Sequence, residues 1–356
     1  MGAESRREEA TSQIRGAQAP GGAIQARRCP GKPRRQAGRR TVKTKSYGVG
    51  ARRSRAQARS HARRGSHRSS RCCASVEVVV SASPHKYALG VIGTGHIAGV
   101  IVRRLIESGY LQPDRIIVTP SKNLAAHPMP RGVVVAANNA AAVKDSRLVM
   151  LSVTPQRFAD AAVSIRPVVS ADQLFISVMA GQSTARIASV LGGPQVRVVR
   201  AMPNLPFGLG RGVTGLFRGE AATDDDIEEA RHFFNAGGVC VEVEREDLMN
   251  AVTAVAGSGP AYFYYFVEMM MKGGVAAGLK PEAAQVLAAH ACVGAGAMLL
   301  QADASPAELR AAVTSPGGTT QAAMNKLTDC NVAEHVTQAV LAAYRRSQEL
   351  GKLADG

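Results

Sequence analysis

Residues 311–324, AAVTSPGGTTQAAM, gather four hydroxyls (Thr314, Ser315, Thr319 and Thr320) around a Pro-Gly-Gly turn, and a helical pattern begins directly after it. None of these side chains ionises near neutral pH. Glycine carries no Cβ to block close approach. Gly317, Gly318 and Thr319 can therefore aim backbone N–H groups at one point at a helix start, which makes an anion site. The hydroxyls add hydrogen-bond donors beside that point. The chemistry open to such a loop is to hold an anion and polarise a neighbouring atom, not to transfer protons through a tuned acid or base. The same letters also describe an ordinary helix N-terminus, with Ser-Pro before a turn and Thr as its cap.

A second constellation lies at residues 90–101, GVIGTGHIAGVI. Gly93, Gly95 and Ala98 stand in the G-x-G-x-x-G/A arrangement, after an apolar run and before a helical one. The first glycine makes the turn, the second admits a pyrophosphate to the backbone, and the small third residue lets helix pack on strand. The expected dinucleotide contacts are Gly93, Gly95, His96, Ile97 and Ala98, with His96 read as a solvent-facing loop position and not as a catalyst. A glycine-rich turn in some other α/β protein has the same pattern. An NAD site wants an acid at the end of the second strand to hold the ribose 2′-OH. Here that strand ends in VTPSKN (118–123), and Asp114 precedes it. Ser121, Lys122 and Asn123 offer donors and one positive charge, which suits a 2′-phosphate. NADPH is the expected cofactor, with NADH as the alternative. Asn139 and the turn containing Val153 and Pro155 fall at strand ends on the same side.

These residues need elements to position them. Short apolar runs at 88–93, 115–120, 132–136, 148–153, 175–179 and 197–202 lack strict alternation, as strands buried on both faces do. Helices fit between several of them, for example 96–109, which predicts a doubly wound sheet. Residues 223–238 read as a helix with a Thr cap and acids in its first turn, and VCVEV (239–243) as a last strand. After Asp247 every segment reads as helix, broken at 257–261, 278–282, 302–308 and 315–318. The expected fold class is an α/β Rossmann domain (86–247) followed by an all-α helical dimerisation domain (248–356). Ala and Gly dominate the later helices, so backbones can approach closely in a bundle shared between subunits. Residues 283–300, AAQVLAAHACVGAGAMLL, come nearest to a bilayer span but hold Gln285 and His290. They are read as an interior or interface helix, and no membrane partner is expected.

The net charge of +17 belongs to the N-terminus. Residues 1–85 hold 20 of the 44 basic residues and 4 of the 27 acids, leaving 24 against 23 in residues 86–356. The near-neutral remainder argues against a nucleic-acid partner. The basic tail has few large apolar residues before Val76 and no sustained period, so it is expected to be disordered. Its Arg, Ser and Ala bias fits an organellar transit peptide, plastid before mitochondrion. A true start near Lys86, which would leave the protein cytoplasmic, and a nucleic-acid or membrane-surface arm are the alternatives. Six Cys show no CxxC spacing. Buried thiols are expected at Cys240, Cys292 and Cys330, and no metal.

Four segments in order behind the glycine loop are not generic: VMAGQS (178–183), VVRAMPNLPFGLGRG (198–212), TAVAGSGPAYFYYFVE (253–268) and ELRAAVTSPGGTTQAAMNKL (308–327). Together they resemble the pyrroline-5-carboxylate reductase family over about residues 86–352. The resemblance implies reduction of 1-pyrroline-5-carboxylate to L-proline with NAD(P)H, as the last step of proline biosynthesis. It also implies helical domains that interlock as a homodimer, and dimers that assemble further, commonly into a decamer. It places the substrate loop on Ser315, Pro316, Gly317, Gly318, Thr319 and Thr320. Thr320 is then the candidate catalytic hydroxyl, with Asp303 at the mouth. It places the nicotinamide near Ala180, Gly181, Met202, Pro203 and Asn204. The chain departs from the family pattern at Thr154, where a lysine is usual, and at Arg211, where an acid is common. A β-hydroxyacid dehydrogenase would share the layout, but it needs a lysine in the hydroxyl loop, and the nearest here is Lys326.

Overall fold

β-Branched and aliphatic runs pair side by side into one sheet in the computed structural model, which describes residues 85–121, 124 and 128–355. The strands are β1 (Tyr87–Ile92), β2 (Ile116–Val118), β3 (Val134–Val135), β4 (Ser146–Leu151), β5 (Leu174–Ser177), β6 (Arg197–Met202), β7 (Gly212–Arg218) and β8 (Gly238–Glu242), in the order β3-β2-β1-β4-β5-β6-β7-β8. All neighbours are parallel except β6 and β7. Strand order reverses between β1 and β4, which is where α/β sheets open a crevice for ligands.

Side chains alternate across the pleat into two cores. Leu89, Val91, Leu148, Met150, Leu174 and Ile176 face one layer, while Ile92, Val149, Leu151 and Phe175 face the other. The first layer is covered by α1 (His96–Glu107) and α5 (Asp224–Asn235). The second is covered by α2 (Asn139–Lys144), α3 (Pro155–Ile165) and α4 (Thr184–Leu191). Both faces are therefore dry, which is why the strands read as continuous apolar runs.

Two elements escape the sequence reading. Strand β7 is interrupted by Gly215, where a Cβ would come within 2.4 Å of Val252, so the glycine is kept for close packing at the cost of strand pattern. Helix α2 is a short run capped by Asn138, whose side chain accepts from the N–H of Ala141. The expected helix at 223–238 forms as α5, and Thr223 and Asp226 make a reciprocal capping box.

Beyond β8 the described chain is helical: α6 (Met249–Val252), a π-helical turn (Thr253–Gly257), α7 (Gly259–Ala276), α8 (Pro281–Gln301), α9 (Pro306–Ala312), α10 (Thr319–Asp329) and α11 (Val332–Asp355). The breaks fall where expected, with one more at Asn331, which adopts φ +53°. Helices α7 and α8 pair across a turn at Gly278 (φ +102°), and the small faces of Gly274, Ala284 and Ala288 meet there. The rest of this helical surface is bare in the single chain. Tyr264 is 65 % exposed and Leu300 83 %, alongside Phe263, Tyr265, Val286, Leu287 and Val293. Two expectations change here. Helix α8, at 21 residues, is long and apolar enough to cross a membrane by length and composition. Gln285 and His290 do not offset its Ala, Val and Leu content. Cys330 is exposed rather than buried, because it lies at the C-cap of α10. Cys240 is half-buried, and burial pushes its thiol up to about 11.

Candidate active site

The loop after β1 carries two glycines with separate reasons. Gly93 has φ +96°, and a Cβ there would lie 2.7 Å from the backbone of Ser152. The ends of β1 and β4 are pressed together at that point, with Ser152 N–H donating to the Ile92 carbonyl at 2.8 Å. Gly93 N–H donates to the Thr119 hydroxyl at 3.0 Å, which fixes the loop to the end of β2. Gly95, the N-cap of α1, is different. A Cβ added there would meet no atom within 4 Å, no side chain caps the helix, and its first turn holds no acid. The positive end of α1 thus opens onto free space, a cradle for a phosphate group. Ala98 is buried and lets α1 lie close to the sheet, with His96 and Ile97 flanking it in the first turn. The hydroxyls of Thr94 and Ser152 are buried and without a hydrogen-bond partner among the described residues. Open cradle, uncapped helix and orphaned hydroxyls together fit a dinucleotide.

The parallel strands bring the other expected cofactor residues to the same edge of the sheet. Val153 and Pro155 follow β4, Ala180 and Gly181 follow β5, and Met202, Pro203 and Asn204 follow β6. Thr154 is the N-cap of α3, and its hydroxyl makes no cap bond. Asn139 begins α2, but its side-chain amide donates to Ser164 of α3, so it braces two helices. Asn204 is also a brace. Its amide donates to the Ala256 carbonyl at 3.2 Å and its oxygen accepts from Val213 N–H at 3.1 Å, tying the π-helical turn to β7. Ser121 ends the strand-β2 loop, and Lys122 and Asn123 lie outside the described residues. Arg211 is exposed, and nothing in the structure explains its charge.

The hydroxyl loop forms a tight turn at the start of α10. Gly318 N–H donates to the Ser315 carbonyl at 3.0 Å, and Gly317 takes φ +73°, the geometry of a type II turn with Pro316 before it. This corrects one expectation: the Gly318 N–H is engaged inside the turn and does not face a ligand. The outward donors are the first-turn N–H groups of α10, from Thr319 and Thr320. Gly318 is the N-cap and brings no side chain, so those groups are uncapped. Among the described residues no hydrogen bond engages the hydroxyls of Ser315, Thr319 or Thr320, whereas Thr314 donates to the Arg310 carbonyl. Asp303 is exposed ahead of α9.

The two half-sites are not joined within one chain. Helix α10 packs chiefly on α11, and neither α9 nor α10 has an extensive contact with the sheet. Helix α11 does return to it. Ser347 donates to Asn250, and Gly351 lies against Gly181, where an added Cβ would come within 2.9 Å of the Gly351 nitrogen. No periodicity in the sequence marks that contact, since both partners are glycines.

Residues 246–350 match the family described as pyrroline-5-carboxylate reductase dimerisation, and residues 88–181 match the NADP oxidoreductase, coenzyme F420-dependent, family. The chain is 38 % identical over 271 residues to a pyrroline-5-carboxylate reductase of Synechocystis, covering 74 % of this chain and 98 % of that one. It is 36 % identical over 266 residues to one of Glycine max, covering 74 % and 96 %. Among solved structures it is similar to a pyrroline-5-carboxylate reductase from Coxiella burnetii (33 % identity, TM-score 0.68, 74 % and 98 % covered). It shares its fold with a Plasmodium falciparum pyrroline carboxylate reductase solved with NADP bound (24 % identity, TM-score 0.68, 76 % and 100 % covered).

Proposed function

Because this chain belongs to the pyrroline-5-carboxylate reductase family, we propose that it reduces the cyclic imine 1-pyrroline-5-carboxylate to L-proline. The observation that carries the reading is the hydroxyl loop: uncapped backbone donors and unpartnered hydroxyls at a helix start, with no ionisable side chain in the turn. That chemistry suits a substrate with a carboxylate to hold and an imine basic enough to take its own proton from water. A bound nicotinamide dinucleotide supplies the hydride that goes to the imine carbon. The first-turn N–H groups of Thr319 and Thr320 hold the carboxylate, and Gly317 lets it approach. The Thr320 hydroxyl orients the ring nitrogen, donating to it in the neutral imine and accepting from its N–H once water has protonated it. Gly93, Gly95 and the first turn of α1 hold the pyrophosphate, and Ala180, Gly181 and Met202 border the nicotinamide end.

Since the hydroxyl loop stands off the sheet, the complete site combines the sheet of one subunit with the loop of another. The exposed faces of α7 and α8 are the natural seat of that second subunit, and further assembly of such dimers gives a decamer. A partner chain rather than a bilayer covers α8. We assign residues 86–247 to dinucleotide binding and 248–356 to pairing and substrate. NADPH is the preferred reductant, supported by donors in place of an acid after β2. Residues 1–85 are proposed as an import leader, to a plastid in the first instance.

Steady-state reduction of 1-pyrroline-5-carboxylate, followed by loss of NADPH and then of NADH absorbance, tests the proposal. Removing one well-placed donor costs on the order of 10²–10³-fold in rate. Thr320→Ala should lose about that much kcat/KM, and Thr320→Ser should keep most of it. Turnover that survives Thr320→Ala would reduce Thr320 to a helix residue. No turnover of the wild type with either reductant would reject the reading.

A further inference from the structure

The π-helical turn Thr253–Gly257 leads into α7 with its backbone out of step with an α-helix. Turns of this kind are rare and recur at functional sites. The Ser258 N–H, which in an α-helix would reach the Ala254 carbonyl, donates to the Thr253 carbonyl at 2.9 Å. The Ala256 carbonyl would meet the N–H of residue 260, but that residue is Pro260 and has none. Both carbonyls thus lose their regular donors, and side chains stand in. The Tyr262 hydroxyl donates to the Ala254 carbonyl at 3.0 Å, and the Asn204 amide to the Ala256 carbonyl at 3.2 Å.

Tyr262 differs in this from its neighbours. Phe263, Tyr264 and Tyr265 are exposed, whereas Tyr262 is half-buried and turned back against the start of its own helix. Ala254 is fully buried, so its carbonyl has no water to fall back on. On its other side the turn abuts the nicotinamide end of the sheet. A Cβ on Gly257 would lie 3.9 Å from the Met202 sulfur, and Asn204 ties Ala256 to the segment that follows Met202. Val252, just ahead of the turn, enters the space that Gly215 leaves in β7. The turn is therefore wedged between β7 and the Met202–Asn204 segment, with Tyr262 tying it to α7.

We infer that Tyr262 is a positioning residue for hydride transfer: its hydroxyl holds the turn in its π-helical form, and the turn holds Met202 and Asn204 where they border the nicotinamide. This rests on the reductase reading and adds a residue that lies in neither the glycine loop nor the hydroxyl loop. Without the hydroxyl, the Ala254 carbonyl recovers a donor only if the turn rewinds and the Ser258 N–H moves back to it. That shift draws Ala256 away from Asn204 and Gly257 away from Met202. Tyr262 touches neither substrate nor cofactor and acts through the backbone. Hydride transfer needs close alignment, so a displacement too small to weaken binding slows the chemical step.

Tyr262→Phe, which removes one oxygen and keeps the ring, tests this in the full chain. Mixed rapidly with 1-pyrroline-5-carboxylate, the NADPH-loaded variant should lose nicotinamide absorbance at least about tenfold more slowly than wild type in a single turnover. The step should slow further when deuterium replaces the transferred hydrogen, while NADPH affinity and sedimentation stay unchanged. Other readouts need no turnover. Amide exchange of residues 254–258 should quicken in the free variant, and the fluorescence lifetime of bound NADPH should change as the nicotinamide gains freedom. An unchanged single-turnover rate would overturn the role. So would slowing matched by weaker NADPH binding or by a smaller sedimenting species, which is what loss of structure alone gives. A wild type that turns over no imine would reject the reductase reading instead, and the lifetime then decides whether Tyr262 positions the nicotinamide.

Discussion

Gly93 and Gly95 sit two positions apart in one loop, and substitution should separate what each does. At Gly93 an alanine meets both a positive φ and the Ser152 backbone at 2.7 Å. Gly93→Ala should therefore cost at least about 1–3 kcal/mol, visible as a lower Tm. At Gly95 an added methyl meets nothing within 4 Å. Gly95→Ala should leave Tm unchanged yet weaken dinucleotide binding tenfold or more in a fluorescence titration, because the methyl occupies the cradle. A shared drop in stability would show that the loop has no open cradle. The spacing of these glycines was legible in the sequence because each is forced by backbone geometry. Asn204 was legible only as part of a motif. Its bonds to Ala256 and Val213 join segments far apart in the chain, and no local pattern reports such a brace. The Gly318 N–H was misjudged for a related reason: turn closure competes with ligand binding for the same donor, and only coordinates show which takes it.

Among the elements, α9 offers a pH-dependent reading. Its Ser305–Glu308 capping box holds the Glu308 carboxyl below its ordinary value, through the Ser305 hydroxyl first and the Ser305 backbone N–H second. A depressed folded-state pKa means that the contribution is fully present above the ordinary carboxylate range and is lost as pH falls through the lowered value. Amide protection of residues 305–312 should hold from neutral pH into that range and drop only below it, while Glu308→Gln should lower it throughout. Protection that falls near neutrality would point to a different group. Strands β1, β4, β5 and β6 were readable because burial on both faces leaves an unbroken aliphatic run. Strand β7 was not, since Gly215 gives up side-chain pattern so that Val252 can approach. Helix breaks were readable wherever Pro or Gly imposed them, and unreadable at Asn331, which reaches positive φ without glycine.

At the scale of the whole molecule, the sequence could not say which apolar helices face a core and which face another chain, because both are equally apolar. The exposed aromatic face of α7 decides for the latter. Tyr264→Glu should shift the sedimenting species to a smaller one with unchanged far-UV circular dichroism, since the residue is already exposed in the single chain. An unchanged sedimentation coefficient would place the contact elsewhere. The shared site carries a sharper expectation. Thr320→Ala and Gly95→Val chains, each inactive alone, should regain turnover when unfolded together and refolded as a mixture. One of the two sites in a mixed dimer then receives an intact sheet and an intact loop. No recovery would place both halves of the site in the same chain.

The stand-off between α10 and the sheet also has a kinetic consequence. On the proposed shared site, a newly synthesised chain carries both halves of an active centre that it cannot close on itself. Catalytic capacity at low expression then rises with the square of chain concentration rather than in proportion to it, and sufficient dilution switches the enzyme off without unfolding it.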